Sequence, residues 1–180
     1  MAILYGIYDL QANRGSIYVG TTHDTPEFAA QSIADWWSRE GRTRYDSNSH
    51  LLILADGGGS NGYRSRAWKW TLQQQLVDRY QIPVTVCHYP TGASKWNPIE
   101  HQLFSPISMN WAGKPLESYE TVVNYIRTTT NSSGLQVQAR LIHKNYETGE
   151  RIAQNQMQQL ALTRHATLPN WNYTLAPSRM

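Results

Sequence analysis

Cysteine is almost absent: Cys87 is the only one in 180 residues. One cysteine excludes an intrachain disulfide and a zinc site built on several thiolates. Charge is scarce as well, at 16% of residues, which argues against wholesale disorder. Lysine is the rarer cation, four against twelve arginines. The arginine fork suits phosphate oxygens, so the bias permits a polyanionic partner. The net charge of +3 and a pI near 9.0 make the chain only mildly basic. No stretch approaches the ~18 apolar residues of a membrane helix. The amino-terminal Met1-Ala-Ile-Leu-Tyr-Gly6 has no basic segment leading into a long apolar one. The expectation is a cytoplasmic protein with no membrane partner.

Apolar residues make up 40%, with seven Trp and eleven Tyr, enough for the core of one domain. No repeat and no clear linker divides the chain. Its organising stretch is Leu51-Leu-Ile-Leu-Ala-Asp56-Gly-Gly-Gly-Ser-Asn-Gly62. A short apolar run cut off by glycines reads as a strand buried on both faces. Asp56 then stands at its carboxyl end. Charged groups are rarely buried without a partner, and open α/β sheets place their functional crevice at such strand ends. Asp56 is therefore expected to face a cleft.

Around this stretch the pattern is α/β. Ile3 to Asp9 and Ser16 to Thr22 read as a hairpin across Gln11-Ala-Asn-Arg-Gly15. Thr25-Pro26-Glu27 opens a helix with Thr as N-cap, and Phe28, Ile33, Trp36 and Trp37 form its apolar face. Tyr63 to Tyr80 repeats Trp68, Leu72, Leu76 and Tyr80 at helical spacing. Pro83 to His88 is a second β-branched strand. Asn97-Pro98 starts another helix, which Pro106 is expected to bend or end. Ser118 to Thr129 is a helix and Leu135 to Leu141 an alternating, half-exposed strand. Gln154 to Leu162 reads as a short helix and Trp171 to Leu175 as a last strand.

Two site chemistries fit these residues. Gly57-Gly-Gly59-Ser-Asn-Gly62 matches G-x-G-x-x-G, the pattern of a dinucleotide-binding enzyme. Against it, Asp56 would put a carboxylate beside the pyrophosphate, and the next strand ends at His88 where an acidic ribose ligand is wanted. The other chemistry is a carboxylate metal site. Asp56 and Glu100, the latter in the first turn of its helix, offer hard oxygen ligands for Mg²⁺ or Mn²⁺. Glu100 could equally complete a capping box with Asn97, and Asp56 could organise the glycine turn. His88 and His101 match no common zinc spacing. They read as local hydrogen-bond partners or DNA contacts. Lys95 and Trp96 could meet a phosphate and an unpaired base, or be a solvated lysine and a core tryptophan. Arg64, Arg66 and Lys69 could touch a DNA backbone or lie on a solvated helix face. Trp36, Trp37, Trp68 and Trp111 read as core, and Cys87 as a small inert hydrophobe.

Three blocks bear on the choice. Ala55-Asp-Gly-Gly-Gly-Ser-Asn-Gly62, Thr85-Val-Cys-His-Tyr-Pro90 and Ser94-Lys-Trp-Asn-Pro-Ile-Glu-His-Gln-Leu-Phe104 together resemble the catalytic domain of DDE insertion-sequence transposases, in particular the Rhodopirellula-type group. Tyr5-Gly-Ile-Tyr-Asp9, His23-Asp-Thr25, Trp36-Trp37 and Trp171-Asn-Tyr-Thr174 extend the likeness over almost the whole chain. The resemblance implies a ribonuclease-H-like mixed sheet flanked by helices and metal-dependent cleavage and transfer of DNA strands. Its cofactor would be Mg²⁺ or Mn²⁺. Its partners would be element-end and target DNA, and an intact transposase or a second copy. It makes Asp56 the second acidic residue of the catalytic triad and Glu100 the third. In that family the first Asp lies on a strand preceding the hairpin, with DNA-binding helices earlier still. Met1 falls just before the hairpin, so the expectation is a fold without its first, central strand and with two strand edges unpaired. The core is expected over residues 1–112 and a small α/β appendage over 113–180. The chain alone is expected to be inactive or nearly so, as an incomplete transposase or a non-catalytic remnant. Asp9 is the nearest spare carboxylate, on a different strand.

Overall fold

A computed structural model of the chain describes residues 1–178. In chain order the elements are β1 (Ile3–Asp9), β2 (Arg14–Gly20), α1 (Pro26–Trp36), α2 (Arg42–Arg44), β3 (Leu51–Ala55), α3 (Arg66–Leu72), α4 (Asp78–Tyr80), β4 (Val84–His88), α5 (Ser105–Trp111), α6 (Tyr119–Arg127), β5 (Gln136–Ile142), α7 (Gln154–Gln158), β6 (Leu162–Arg164) and β7 (Asn172–Leu175). They form two compact units, residues 1–23 with 95–146 and residues 24–94 with 147–180.

The first unit holds a sheet of order β1-β2-β5, with β1 antiparallel and β5 parallel to β2. The hairpin turn is closed by Asp9, whose Oδ1 accepts from the Ala12 amide at 3.1 Å, and by Asn13 in the left-handed region at φ 51°. Asp9 is thus engaged in the turn. The sheet packs against the helices through Ile17, Val19, Leu103, Ile107, Val122, Val123, Ile126, Leu135, Val137 and Ala139. Gly15 makes room for Leu103: a Cβ there would lie 2.2 Å from a leucine methyl. Pro106 does not end its helix. A wide π-helical turn over Glu100–Phe104 runs straight into α5, so Pro106 lies inside a continuous helical run and leaves out one intrahelical amide just after the wide turn.

The second unit holds a sheet of order β3-β4-β7-β6. β3 and β4 are parallel, and β7 is antiparallel to both β4 and β6. Thr25 caps α1, accepting from the Phe28 amide at 3.1 Å, with Pro26 in the first turn. The helix read from Tyr63 begins at Arg66, where Ser65 accepts from the Trp68 amide. It reaches Tyr80 through a π-helical turn at Gln73–Val77. Phe28, Ile33, Trp36, Trp37, Trp68, Leu72, Leu76, Val84, Val86, Tyr173 and Leu175 are all buried.

The described strands form two mixed sheets, one per unit, flanked by helices, and one expectation changes. β3 is not buried on both faces. It is an edge strand, hydrogen-bonded among the described residues only to β4, and Leu52 and Leu54 are 57% and 36% exposed. The apolar run has a strand on one side and a packed layer on one face.

Candidate functional site

Asp56 leaves the carboxyl end of β3 half-exposed, next to the end of β4. The parallel ladder continues one step past Ala55, whose carbonyl accepts from the Tyr89 amide at 2.8 Å. The glycines that follow have separate reasons. A Cβ at Gly57 would lie 2.7 Å from the Tyr89 carbonyl oxygen, and Gly59 sits at φ +75°. Gly62 donates to the Gly59 carbonyl at 3.1 Å, while a side chain at Gly58 would meet open space. The turn itself accounts for the G-x-G-x-x-G spacing. Its last glycine is four residues ahead of α3, so it does not run directly into a helix N-terminus as a pyrophosphate loop does.

Behind Asp56 lies a buried polar cluster. His88 is 6% exposed, and its Nδ1 is 3.0 Å from the Asp56 carbonyl oxygen. Its Nε2 is 3.3 Å from the Tyr173 hydroxyl, which also accepts from the Trp68 indole N–H at 2.9 Å. Burial pushes the His88 imidazole below its usual value, opposed by the contact with the Asp56 backbone. Burial raises the Tyr173 hydroxyl, so it stays protonated. Lys69 is buried in the same place, donating to the Tyr63 carbonyl, with its ammonium 5.2 Å from the Tyr173 ring centroid. Burial, then Arg164 and Arg66, push Lys69 down to about 8. Arg64 and Arg66 are exposed, Arg64 over the Tyr63 ring at 5.2 Å. Burial raises the Cys87 thiol, which keeps it protonated and inert.

Glu100 belongs to the first unit and is half-exposed. The buried Asn97 caps its helix, accepting weakly from the Ile99 amide at 3.4 Å, and the Glu100 amide donates to the Asn97 carbonyl at 3.1 Å. Trp96 is 71% exposed and is therefore no core residue. The Lys95 ammonium lies 5.3 Å from its ring centroid. His101 is exposed and donates from Nε2 to the Lys95 carbonyl at 2.7 Å, a local bond that ties the Lys95-Trp96 loop to the helix.

The sequence reading missed the part played by Tyr173. Its signal was there: alternation in β7 puts Tyr173 on the same face as Leu175, and a buried tyrosine hydroxyl needs a partner.

The donor chemistry suits a hard divalent cation, since Asp56 and Glu100 offer carboxylate oxygens. Among the described residues no group of three or more His, Cys, Asp or Glu side chains converges to hold a metal. Two mixed sheets flanked by helices, with an acidic residue leaving a parallel strand pair, are compatible with a ribonuclease-H-like nuclease fold. The chain belongs to the Rhodopirellula transposase DDE domain family, whose model matches residues 1–177. No curated protein and no solved structure matches it. Membership implies a nuclease activity tied to DNA transposition.

Proposed function

We propose that Asp56 and Glu100 are metal-holding carboxylates of a transposase and that each unit also presents residues that contact DNA. The observation that supports this is the position of Asp56, half-exposed where the β3–β4 parallel pair ends. When bound, Mg²⁺ or Mn²⁺ activates water and stabilises the leaving oxygen in phosphodiester cleavage. The chain's own residues orient and bind. Asp56 and Glu100 present oxygen ligands. Arg64 offers an exposed guanidinium to backbone phosphates, and Arg66, which donates from one N–H to the Ile152 carbonyl at 3.4 Å, offers its others. Lys95 and Trp96 offer a cation and a stacking face. Lys69, expected from the sequence as a DNA contact, is buried and donates to the Tyr63 carbonyl, so it is not among these groups.

The third carboxylate, in this reading, sits on a further strand that pairs along the open edge of β3. The 180 residues by themselves therefore cut DNA at background level. The test is Mn²⁺ titration followed by paramagnetic broadening, beside a nicking assay on labelled duplex. Asp56→Asn and Glu100→Gln each weaken Mn²⁺ binding about tenfold or more, as loss of a carboxylate ligand to a hard cation should. Robust cleavage by the purified chain, abolished by Asp56→Asn, would show that two carboxylates suffice and overturn the proposal.

A further inference from the structure

For the neutral imidazole that burial favours, the hydrogen bonds around His88 can run in only one direction, because the Asp56 carbonyl oxygen that Nδ1 faces can only accept. An indole N–H donates and never accepts, so the Tyr173 oxygen accepts from Trp68. The Tyr173 proton is then free to point at His88 Nε2, 3.3 Å away. With Nε2 accepting, the imidazole proton sits on Nδ1, facing the Asp56 carbonyl oxygen at 3.0 Å. Trp68 and Tyr173 are both fully buried, so no water competes for these positions.

We infer that His88 is a positioning residue for Asp56: the chain Trp68–Tyr173–His88 fixes the imidazole as its Nδ1–H tautomer and clamps the Asp56 peptide, thereby aiming the Asp56 carboxylate. The inference rests on the reading of Asp56 as a metal-holding group. The clamp works from outside the ligand set, as residues behind a metal ligand do. It also complements the neighbouring bond from the Tyr89 amide to the Ala55 carbonyl. Two successive carbonyls, of Ala55 and Asp56, are thus held from the end of β4.

The test uses the whole chain with ¹⁵N-labelled histidine and two polar variants. In His88→Asn the amide nitrogen takes the place of Nδ1 and keeps the donor to Asp56. In His88→Gln the amide reaches the place of Nε2 and loses that donor. Three readouts are compared: the wild-type His88 tautomer from ¹H–¹⁵N correlation, amide exchange at Tyr89, and Asp56-dependent Mn²⁺ affinity. The expected result is a wild-type Nδ1–H tautomer. His88→Gln should exchange Tyr89 faster and bind Mn²⁺ about tenfold more weakly, while His88→Asn stays near wild type. A proton on Nε2 in the wild type overturns the inference, and so does His88→Gln behaving like His88→Asn. If the wild type shows no Asp56-dependent Mn²⁺ effect, the metal reading fails by itself. The tautomer and Tyr89 exchange then still decide whether His88 clamps the peptide.

Discussion

Lys69 carries a positive charge into the interior of its unit, with the Tyr63 carbonyl and the Tyr173 ring as its neighbours and Arg66 and Arg164 adding to the local charge. The consequence can be read as a function of pH. In the unfolded chain the lysine holds its proton up to 10.5, whereas in the folded chain it releases it at about 8. Between those values the unfolded state binds more protons, so the contribution of Lys69 to stability rises with pH. Urea midpoints taken from pH 8 to 10.5 should therefore climb in the wild type relative to Lys69→Met, which removes the titration while keeping an unbranched side chain. A constant difference across that window would mean that the lysine is not desolvated. At the same scale, the sequence showed His88 as a local hydrogen-bond partner but not which atoms it joins. Tyr173 lies 85 positions further along, and no local pattern reports a contact of that range.

At the scale of elements, the glycine turn after β3 permits a graded prediction. Gly57→Ala drives a methyl into the Tyr89 carbonyl, while Gly59→Ala strains a left-handed residue and Gly58→Ala meets open space. The order of destabilisation should be Gly57, then Gly59 at about 1 kcal/mol, then Gly58 near zero, read from denaturant midpoints. Equal effects at all three would place the constraint elsewhere than in the turn. Much at this level was legible beforehand. Thr25-Pro26-Glu27 announced a helix start, and the alternation from Leu135 to Leu141 announced a half-exposed strand. These features depend on neighbours a few residues away. The edge position of β3 was not legible in its own apolar run, which shows that side chains avoid water and not how many strands flank them; only the resemblance implied unpaired edges. β6 was missed because three residues are too short for any period to show. The π-helical turns were missed because their signal is a single added residue.

For the whole molecule, modest charge sets the terms of the proposed DNA binding. A net charge of +3 gives a weak general attraction, so specific cations must do most of it. Replacing Arg64 and Arg66 together by alanine should lower the slope of log affinity against log salt by about 2, the amount two phosphate contacts contribute. Trp96→Ala should leave that slope unchanged and weaken single-stranded binding by about 1–3 kcal/mol, as loss of a stacking face does. Fluorescence anisotropy over a salt series separates the two, and a slope that ignores both arginines would move the DNA surface elsewhere. The strand order β3-β4-β7-β6 also governs how this protein can be made. Residues 172–175 lie inside their sheet, against β4, and Tyr173 closes the hydrogen-bond chain from Trp68 to His88. A ribosome that has already released β3 and β4 must synthesise more than eighty further residues before β7 emerges to cover them. Throughout that interval the nascent chain offers bare strand edges to chaperones and proteases, and a premature stop near residue 170 would leave that exposure permanent.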